Sequence, residues 1–265
     1  MVNHLSKHIP MNDHKKIPLL GFGTAELKGP SAEKGVAYAI KQGYRLIDTS
    51  PSYGNENEVG KGIHSAINDQ VTREDLFVST KIEQEDMSFA GVKKSVEESL
   101  NRLKLDYIDL LLIHSPADSD DVNIDMWKGM EAVCNTGKVK SIGVSNFTRK
   151  ELEPLLNSAT IKPTINQVKL APGDVDWDTK EISENENIII MAYSPLKKGQ
   201  LNHSVIQNLA DKYEKLAQQI ALRWTIELNT IPTPRSGNED HIQSNSDVFD
   251  FTLTDEEVQM INKIG

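Results

Sequence analysis

The chain has 265 residues, 38% hydrophobic and 26% charged, which is enough apolar material for a sizeable core and too much for a disordered chain. With 29 basic and 39 acidic residues the net charge is −10, which excludes the clustered surplus of Lys and Arg that a nucleic-acid footprint needs. No apolar run approaches the roughly 20 residues that span a bilayer, residues 1–8 lack the apolar core of a secretion signal, and the lone Cys134 excludes an internal disulfide. A cytoplasmic protein is expected. The seven histidines are dispersed, so no metal site is expected either.

Residues before Leu19 read as a short hairpin, Ile9–Met11 and Lys16–Pro18 joined through Asn12-Asp13, suited to closing the floor of a barrel. A first strand, Leu19–Thr24, precedes a helix opening at Ser31 with Val36, Ala39 and Ile40 on one face. Gly21-Phe-Gly23 lacks the third glycine of a dinucleotide-binding fingerprint and reads as a tight strand-to-loop bend. Strands Arg45–Ser50 and Leu76–Lys81 follow, then a helix capped by Ser88 with Val92, Val96, Leu100 and Leu103 in register. After strand Tyr107–His114 the acidic residues Asp118, Asp120, Asp121 and Asp125 read as a solvated loop.

Strand Val139–Asn146 leads into a helix opened by Thr148, with Leu152, Leu155 and Leu156 inward. Strands Thr164–Leu170 and Ile188–Pro195 come next, then two helices within Ser204–Leu228, the second containing Leu216, Ile220, Leu222 and Trp224. Asn229–Arg235 is the eighth strand, and Thr254-Asp-Glu-Glu is a capping box for a last helix carrying Val258 and Ile261. Runs such as Ile108–Ile113 are apolar without alternation, as in parallel strands buried on both faces. The alternation predicts an α/β fold, a (β/α)8 TIM barrel formed as a single domain over residues 1–265, because no Gly/Ser/Pro-rich linker divides the chain. A doubly wound open sheet is the competing architecture.

In such a barrel the chemistry sits at the C-terminal ends of the strands. Those ends supply Asp48 with Tyr53 in the following loop, Lys81, and His114. Taken singly, Asp48 is a loop-capping carboxylate, Tyr53 a packing ring, Lys81 a lysine reaching for solvent and His114 a structural histidine. Together at one rim they have a coherent job. An ammonium beside a phenol stabilises phenolate and lowers its pKa from about 10. A carboxylate keeps the buried ammonium charged, and a neutral imidazole donates to a bound carbonyl oxygen. Such a set protonates an oxyanion formed when hydride arrives from elsewhere.

These residues and their flanks resemble the aldo-keto reductase superfamily. The matching stretches are Gly21-Phe-Gly-Thr24, Ile47–Gly60, Ser79-Thr-Lys81, Leu105–His114, Ile142–Phe147, Ile165–Val168, Ala192–Leu196 and Ala221–Trp224, in the family's order and over nearly the whole chain. The resemblance implies reduction of small-molecule carbonyls with a nicotinamide cofactor, by a monomer. It implies that Tyr53 is the general acid, Lys81 and Asp48 its tuning pair, and His114 the group that orients the carbonyl. Ser145, Asn146 and Gln167 match residues that hydrogen-bond the nicotinamide carboxamide, and Tyr193 matches the ring that stacks on it. Ser194 and Leu196 match the pyrophosphate path, while Gly23, Thr24 and Asp48 match the first cofactor-binding strand ends.

At the adenosine end Arg235 and Ser236 stand for the family's Lys-Ser pair, His241 for an Arg that clasps the 2′-phosphate, and Asn245 for an adenine contact. Arg235 binds phosphate with a bidentate fork, whereas His241 adds less charge. The expectation is NADPH preferred, with NADH accepted. Ser115 follows His114, and Ile82-Glu83 follows Lys81, where relatives often carry a Trp. Losing two indoles, each burying roughly 150–250 Å², predicts a wider and more polar substrate pocket lined by Tyr53, His114 and Ser115. Small dicarbonyls, keto-sugars or simple aldehydes then fit better than steroids. Two other readings of the same residues are a regulatory barrel that binds cofactor with little turnover, and a Schiff-base aldolase with Lys81 as nucleophile.

Overall fold

The computed structural model describes residues 5, 7–83, 86–196 and 200–264. Strands β1 (His8–Pro10) and β2 (Lys16–Pro18) pair antiparallel, with Ile9 opposite Ile17. The remaining strands are β3 (Gly21–Gly23), β4 (Leu46–Asp48), β5 (Phe77–Ile82), β6 (Ile108–Ile113), β7 (Val139–Ser145), β8 (Ile165–Lys169), β9 (Ile189–Tyr193) and β10 (Ile231–Pro232). They form one parallel sheet in strict sequence order, from β3 at one edge to β10 at the other. A doubly wound sheet would reverse its strand order in the middle, and this one does not.

The two edges meet. Gly23 N–H donates to Pro234 O at 3.1 Å across the seam. The approach is close because strand β3 carries no side chain there: a Cβ on Gly21 would lie 2.8 Å from atoms of Leu46 and Thr233, and one on Gly23 would lie 2.9 Å from Thr233 O. The two glycines are therefore not the expected bend. They sit inside a buried strand, and neither has a positive φ; their use is contact across the seam. Strand β10 is shorter than the sequence predicts because Pro232 and Pro234 have no N–H to offer a ladder.

Inside the barrel, Met11 and Ile17 of the hairpin pack with Leu46, Leu110, Ile165 and Met191. Asn12 Nδ2 donates to Pro163 O at 2.8 Å and Ser141 Oγ to Asp13 at 2.6 Å, so the hairpin does cover the floor as expected. Around the sheet lie α1 (Pro30–Gln42), α2 (Glu56–Ala66), α3 (Phe89–Leu103), α4 (Asp120–Asn135), α5 (Arg149–Ser158), α6 (Trp177–Asn185), α7 (Ser204–Tyr213), α8 (Ala217–Glu227), α9 (Glu239–Ser246) and α10 (Asp255–Asn262). The caps at Ser88, Thr148 and Thr254 are as expected. Helix α1 instead is capped two residues earlier than Ser31, at Gly29, because Pro30 at its first position already has helical φ. Leu216 caps α8 and is exposed rather than lying within the helix.

The acidic cluster is only partly a loop: Asp118 precedes α4, but the other three carboxylates lie on it. Asp120 and Asp121 open α4, where carboxylates oppose the positive end of the helix dipole, and Asp125 accepts from Phe89 N–H at 2.9 Å. Met126, Trp127, Met130 and Val133 form the buried face of that helix.

Candidate active site

Strands β4, β5 and β6 end side by side, with Asp48 paired in register to Ser79 and Lys81 to Leu112. That registry brings the first three candidate groups together. Lys81 is fully buried, and its Nζ donates to both oxygens of Asp48 at 3.0 Å and to Thr49 O at 2.9 Å. The phenolic oxygen of Tyr53 lies 3.4 Å from the same nitrogen. Ser79 Oγ donates to Asp48 Oδ1 at 2.6 Å, satisfying the carboxylate further. Burial works against the Lys81 charge, but Asp48, with Tyr53 second, more than offsets it, and the ammonium pKa is raised.

Tyr53 ends a single 3-10 turn, Pro51–Tyr53, that Gly54 terminates with a left-handed φ of 64°. The residues after it hold this loop to the barrel. Asn55 Nδ2 donates to Thr24 O at 2.8 Å and Leu27 O at 2.9 Å, and Thr49 Oγ1 donates to Asn55 Oδ1 at 3.2 Å. Buried Glu56 accepts from Thr80 Oγ1 at 2.7 Å and from Arg102 Nε at 2.6 Å, tying α2 to β5 and α3. A Cβ on Gly60 would lie 2.4 Å from Leu103 O, so that glycine lets α2 approach α3. The Tyr-Gly-Asn-Glu run thus carries one candidate acid and a set of braces behind it.

The phenol itself departs from expectation. Burial pushes its pKa up; Lys81 pulls it down, and Asp48 and Glu83 push it up again, for a net rise. The expected lowering is absent because burial, the largest influence, disfavours the phenolate, and the carboxylates of Asp48 and Glu83 oppose the pull of Lys81. The consequence is a phenol that holds its proton at neutral pH and has it to give.

His114, at the end of β6, stands edge-on to Tyr53 with ring centroids 6.1 Å apart and planes at 83°. Its Nδ1 meets both oxygens of Glu83 at 2.8 Å. Ser50 Oγ also donates to that carboxylate, and Ser52 N–H donates to it at 3.2 Å. Burial raises the Glu83 pKa, but hydrogen bonds from His114 and Ser50 outweigh it and leave the acid at about 2. Glu83 does not widen the pocket, as its place in the sequence suggests; it backs the His114 ring, and neither Glu83 nor Ser115 lines the cleft.

That cleft, of about 600 Å³, runs from Asp48, Tyr53 and His114 past the ends of β7, β8 and β9 to Arg235. Gly23, Ser145, Asn146, Gln167, Tyr193, Ser194 and Leu196 all face it. Asn146 and Ser194 follow β7 and β9 with left-handed φ of 60° and 52°, a strained backbone common at ligand sites. Tyr193 O–H donates to Asn146 Oδ1 at 3.0 Å, while Asn146 Nδ2 donates to His114 O at 3.0 Å. Thr24 is turned away: its hydroxyl is buried and donates to Asp48 O at 3.0 Å. Ser236, which accepts from Asn238 N–H at 3.0 Å, and His241 and Asn245 on α9 lie outside the cleft.

Two buried polar atoms bear on what binds here, one lining the cleft and one on α9 outside it. Among the described residues, Gln167 Nε2 is a donor and Asn245 Oδ1 an acceptor without a partner. Such groups are costly to leave unpaired. A nicotinamide carboxamide supplies the acceptor and an adenine amine the donor, so these residues fit a nicotinamide dinucleotide. Glu26, unnoticed in the sequence, forms an ion pair with Arg235 at the cleft mouth. No group of His, Cys, Asp and Glu that could hold a metal is found among the described residues.

Residues 19–265 match the model of the Aldo/keto reductase family. An aldo-keto reductase of Mycobacterium sp. (strain MCS) is 39% identical over 255 residues, covering 96% of this chain and 89% of the relative. A glyoxal reductase of Bacillus subtilis is 37% identical over 267 residues, covering 100% of this chain and 95% of that one. Among solved structures, an aldo-keto reductase of Bombyx mori in complex with NADP superimposes with a TM-score of 0.92 at 37% identity, covering 97% of this chain and 92% of that chain.

Proposed function

The chain belongs to the aldo/keto reductase family and is an NAD(P)H-dependent oxidoreductase acting on carbonyl compounds, and we propose that it reduces small polar aldehydes and ketones with Tyr53 as the proton donor. The observation that carries this reading is the buried Asp48–Lys81 pair with Tyr53 OH 3.4 Å from Lys81 Nζ, at one end of a cleft that holds an unpartnered Gln167 amide.

When bound, the nicotinamide supplies the hydride that the carbonyl carbon accepts. Tyr53 gives its proton to the oxygen on which negative charge develops, and Lys81 stabilises the phenolate left behind. Asp48 keeps Lys81 charged in a site that would otherwise favour the neutral amine. The same three hydrogen bonds disfavour Lys81 as a Schiff-base nucleophile, which needs a free amine lone pair. Ser145, Asn146 and Gln167 hold the carboxamide, and the Tyr193 ring, fixed by its bond to Asn146, offers the stacking face. Ser194 and Leu196 border the pyrophosphate path, with Gly23 on the cleft wall beside them.

Arg235, Ser236, His241 and Asn245 form the adenosine end, and NADPH is the preferred cofactor. The Glu26–Arg235 pair is exposed and worth little, so a 2′-phosphate recruits Arg235 at small cost. The small polar substrate class draws support from the B. subtilis relative named for glyoxal. A lone cysteine fits a reducing compartment, and a cytoplasmic monomer completes the reading. Nicotinamide absorbance followed with NADPH and with NADH, against glyoxal, methylglyoxal, simple aldehydes and a steroid ketone, tests it. Turnover confined to the steroid, or none at all, overturns the proposal.

A further inference from the structure

The carboxylate behind His114 restricts what that ring can do. Glu83 places both oxygens 2.8 Å from Nδ1 and is held there by Ser50 Oγ and by Ser52 N–H. An ionised carboxylate only accepts hydrogen bonds, so the nitrogen facing it must carry a hydrogen. A neutral imidazole has one N–H. With it committed to Nδ1, Nε2 carries the lone pair.

We propose that Glu83 is a positioning residue that fixes the proton of neutral His114 on Nδ1, so that Nε2 accepts a hydrogen bond from a substrate hydroxyl on the carbon next to the carbonyl. This replaces the expectation that neutral His114 donates to the carbonyl oxygen: a ring with Nε2 as an acceptor repels that oxygen and attracts a hydroxyl. It rests on the carbonyl-reductase reading. Tyr53 and His114 stand edge to face at one end of the cleft, so one small molecule can meet both, its carbonyl oxygen at the phenol and its hydroxyl at the imidazole. Charged groups in contact with these rings include Glu83 at His114 and Lys81, paired with Asp48, at Tyr53. The substrate class is therefore α-hydroxy aldehydes and ketones, above carbonyl compounds of equal size with an alkyl group in place of the hydroxymethyl.

The ionisation state of Glu83 agrees with the geometry, since its hydrogen bonds hold the acid at about 2 and leave it charged at any working pH. Without the carboxylate, Ser50 Oγ, 3.3 Å from Nδ1, is free to donate to that nitrogen instead, and the hydrogen moves to Nε2.

Long-range proton–nitrogen correlation spectra of the histidine-labelled protein at alkaline pH, with His114→Gln to identify the signal, read the tautomer directly. The Nδ1–H form is expected in the parent protein and the Nε2–H form in Glu83→Leu. Kinetics give the second readout. The ratio of kcat/KM for hydroxyacetone to that for 2-butanone is expected to fall about tenfold in Glu83→Leu, since a site built to bond a hydroxyl discriminates against its absence. An Nε2–H tautomer in the parent overturns the proposal even if the variant fails to fold, and an unchanged ratio overturns its substrate half. Failure to turn over any carbonyl counts against the reductase reading alone, because the spectrum reports the tautomer without turnover.

Discussion

Lys81 Nζ lies 3.0 Å from each carboxylate oxygen of Asp48, with both residues sealed from solvent. Removing one partner of such a pair strands the other's charge, at a cost of about 3–5 kcal/mol. Lys81→Met and Asp48→Asn are each expected to lose stability of that order in denaturant unfolding. The double variant should lose clearly less than the sum, because neither charge is then stranded. Strictly additive losses would show that the two groups do not act as a pair.

Tyr53→Phe keeps the ring against His114 and removes the proton. Dinucleotide binding, followed by fluorescence quenching, should persist, while kcat for reduction falls by about 10²–10⁴. The pH dependence has a definite sign. Burial raises the phenol pKa above its usual value, and reduction uses the protonated form. Loss of activity through Tyr53 ionisation is therefore expected only at pH above the ordinary phenol value of about 10. An alkaline limb assigned to Tyr53 well below that value, or near-parent kcat in Tyr53→Phe, removes it as the donor.

Glu26 and Arg235 bridge the cleft mouth on the surface. Glu26→Gln frees the guanidinium, and a two- to fivefold lower KM for NADPH is expected, about the worth of an exposed pair, with little change for NADH. Arg235→Ala should raise KM for NADPH more than for NADH. Equal effects on both cofactors would place Arg235 away from the 2′-phosphate.

The strand ends were readable because parallel strands announce themselves as continuous apolar runs, and residues such as Asp48, Lys81 and His114 break those runs at their last positions. Helices α2, α4, α6 and α9 were harder: α2 buries two glycines, Gly60 and Gly62, that leave gaps in an apolar stripe, and α4 begins with carboxylates that look like a loop. Glu83 and Glu26 illustrate a different limit. A solitary Glu after a strand looks like any solvated acid, and only the fold shows that one meets His114 from the next strand and the other meets Arg235, 209 positions along the chain. The direction of the Tyr53 shift was illegible for the same reason, since it depends first on how deeply the fold buries the phenol.

Glu83 also links stability to acidity. Its folded pKa, about 2, lies below the ordinary glutamate value of 4.5, so its hydrogen bonds stabilise the fold above pH 4.5 and that contribution is lost as pH falls toward 2. Glu83→Gln lacks the titration. The stability gap between parent and variant should therefore be constant above about pH 5 and narrow as pH falls below 4.5, as measured by unfolding across that range. A gap that widens in acid contradicts the assignment.

The seam glycines separate packing from chemistry. In Gly21→Ala the new methyl meets side-chain atoms of Leu46 and Thr233 at 2.8 Å, which side-chain shifts can relieve in part. In Gly23→Ala it meets the backbone oxygen of Thr233 at 2.9 Å, which cannot move without moving β10. Overpacking of this kind costs about 1–3 kcal/mol, so both variants should unfold at lower denaturant concentration. Only the second reaches the site. Gly23 precedes Thr24, whose N–H and hydroxyl both bond Asp48 O at 3.0 Å, so a shifted Gly23 displaces the backbone that carries the Lys81 counter-charge. Gly23→Ala is therefore expected to lower kcat well beyond Gly21→Ala at matched loss of stability, and equal kcat in the two folded variants would show that the seam and the catalytic groups are independent.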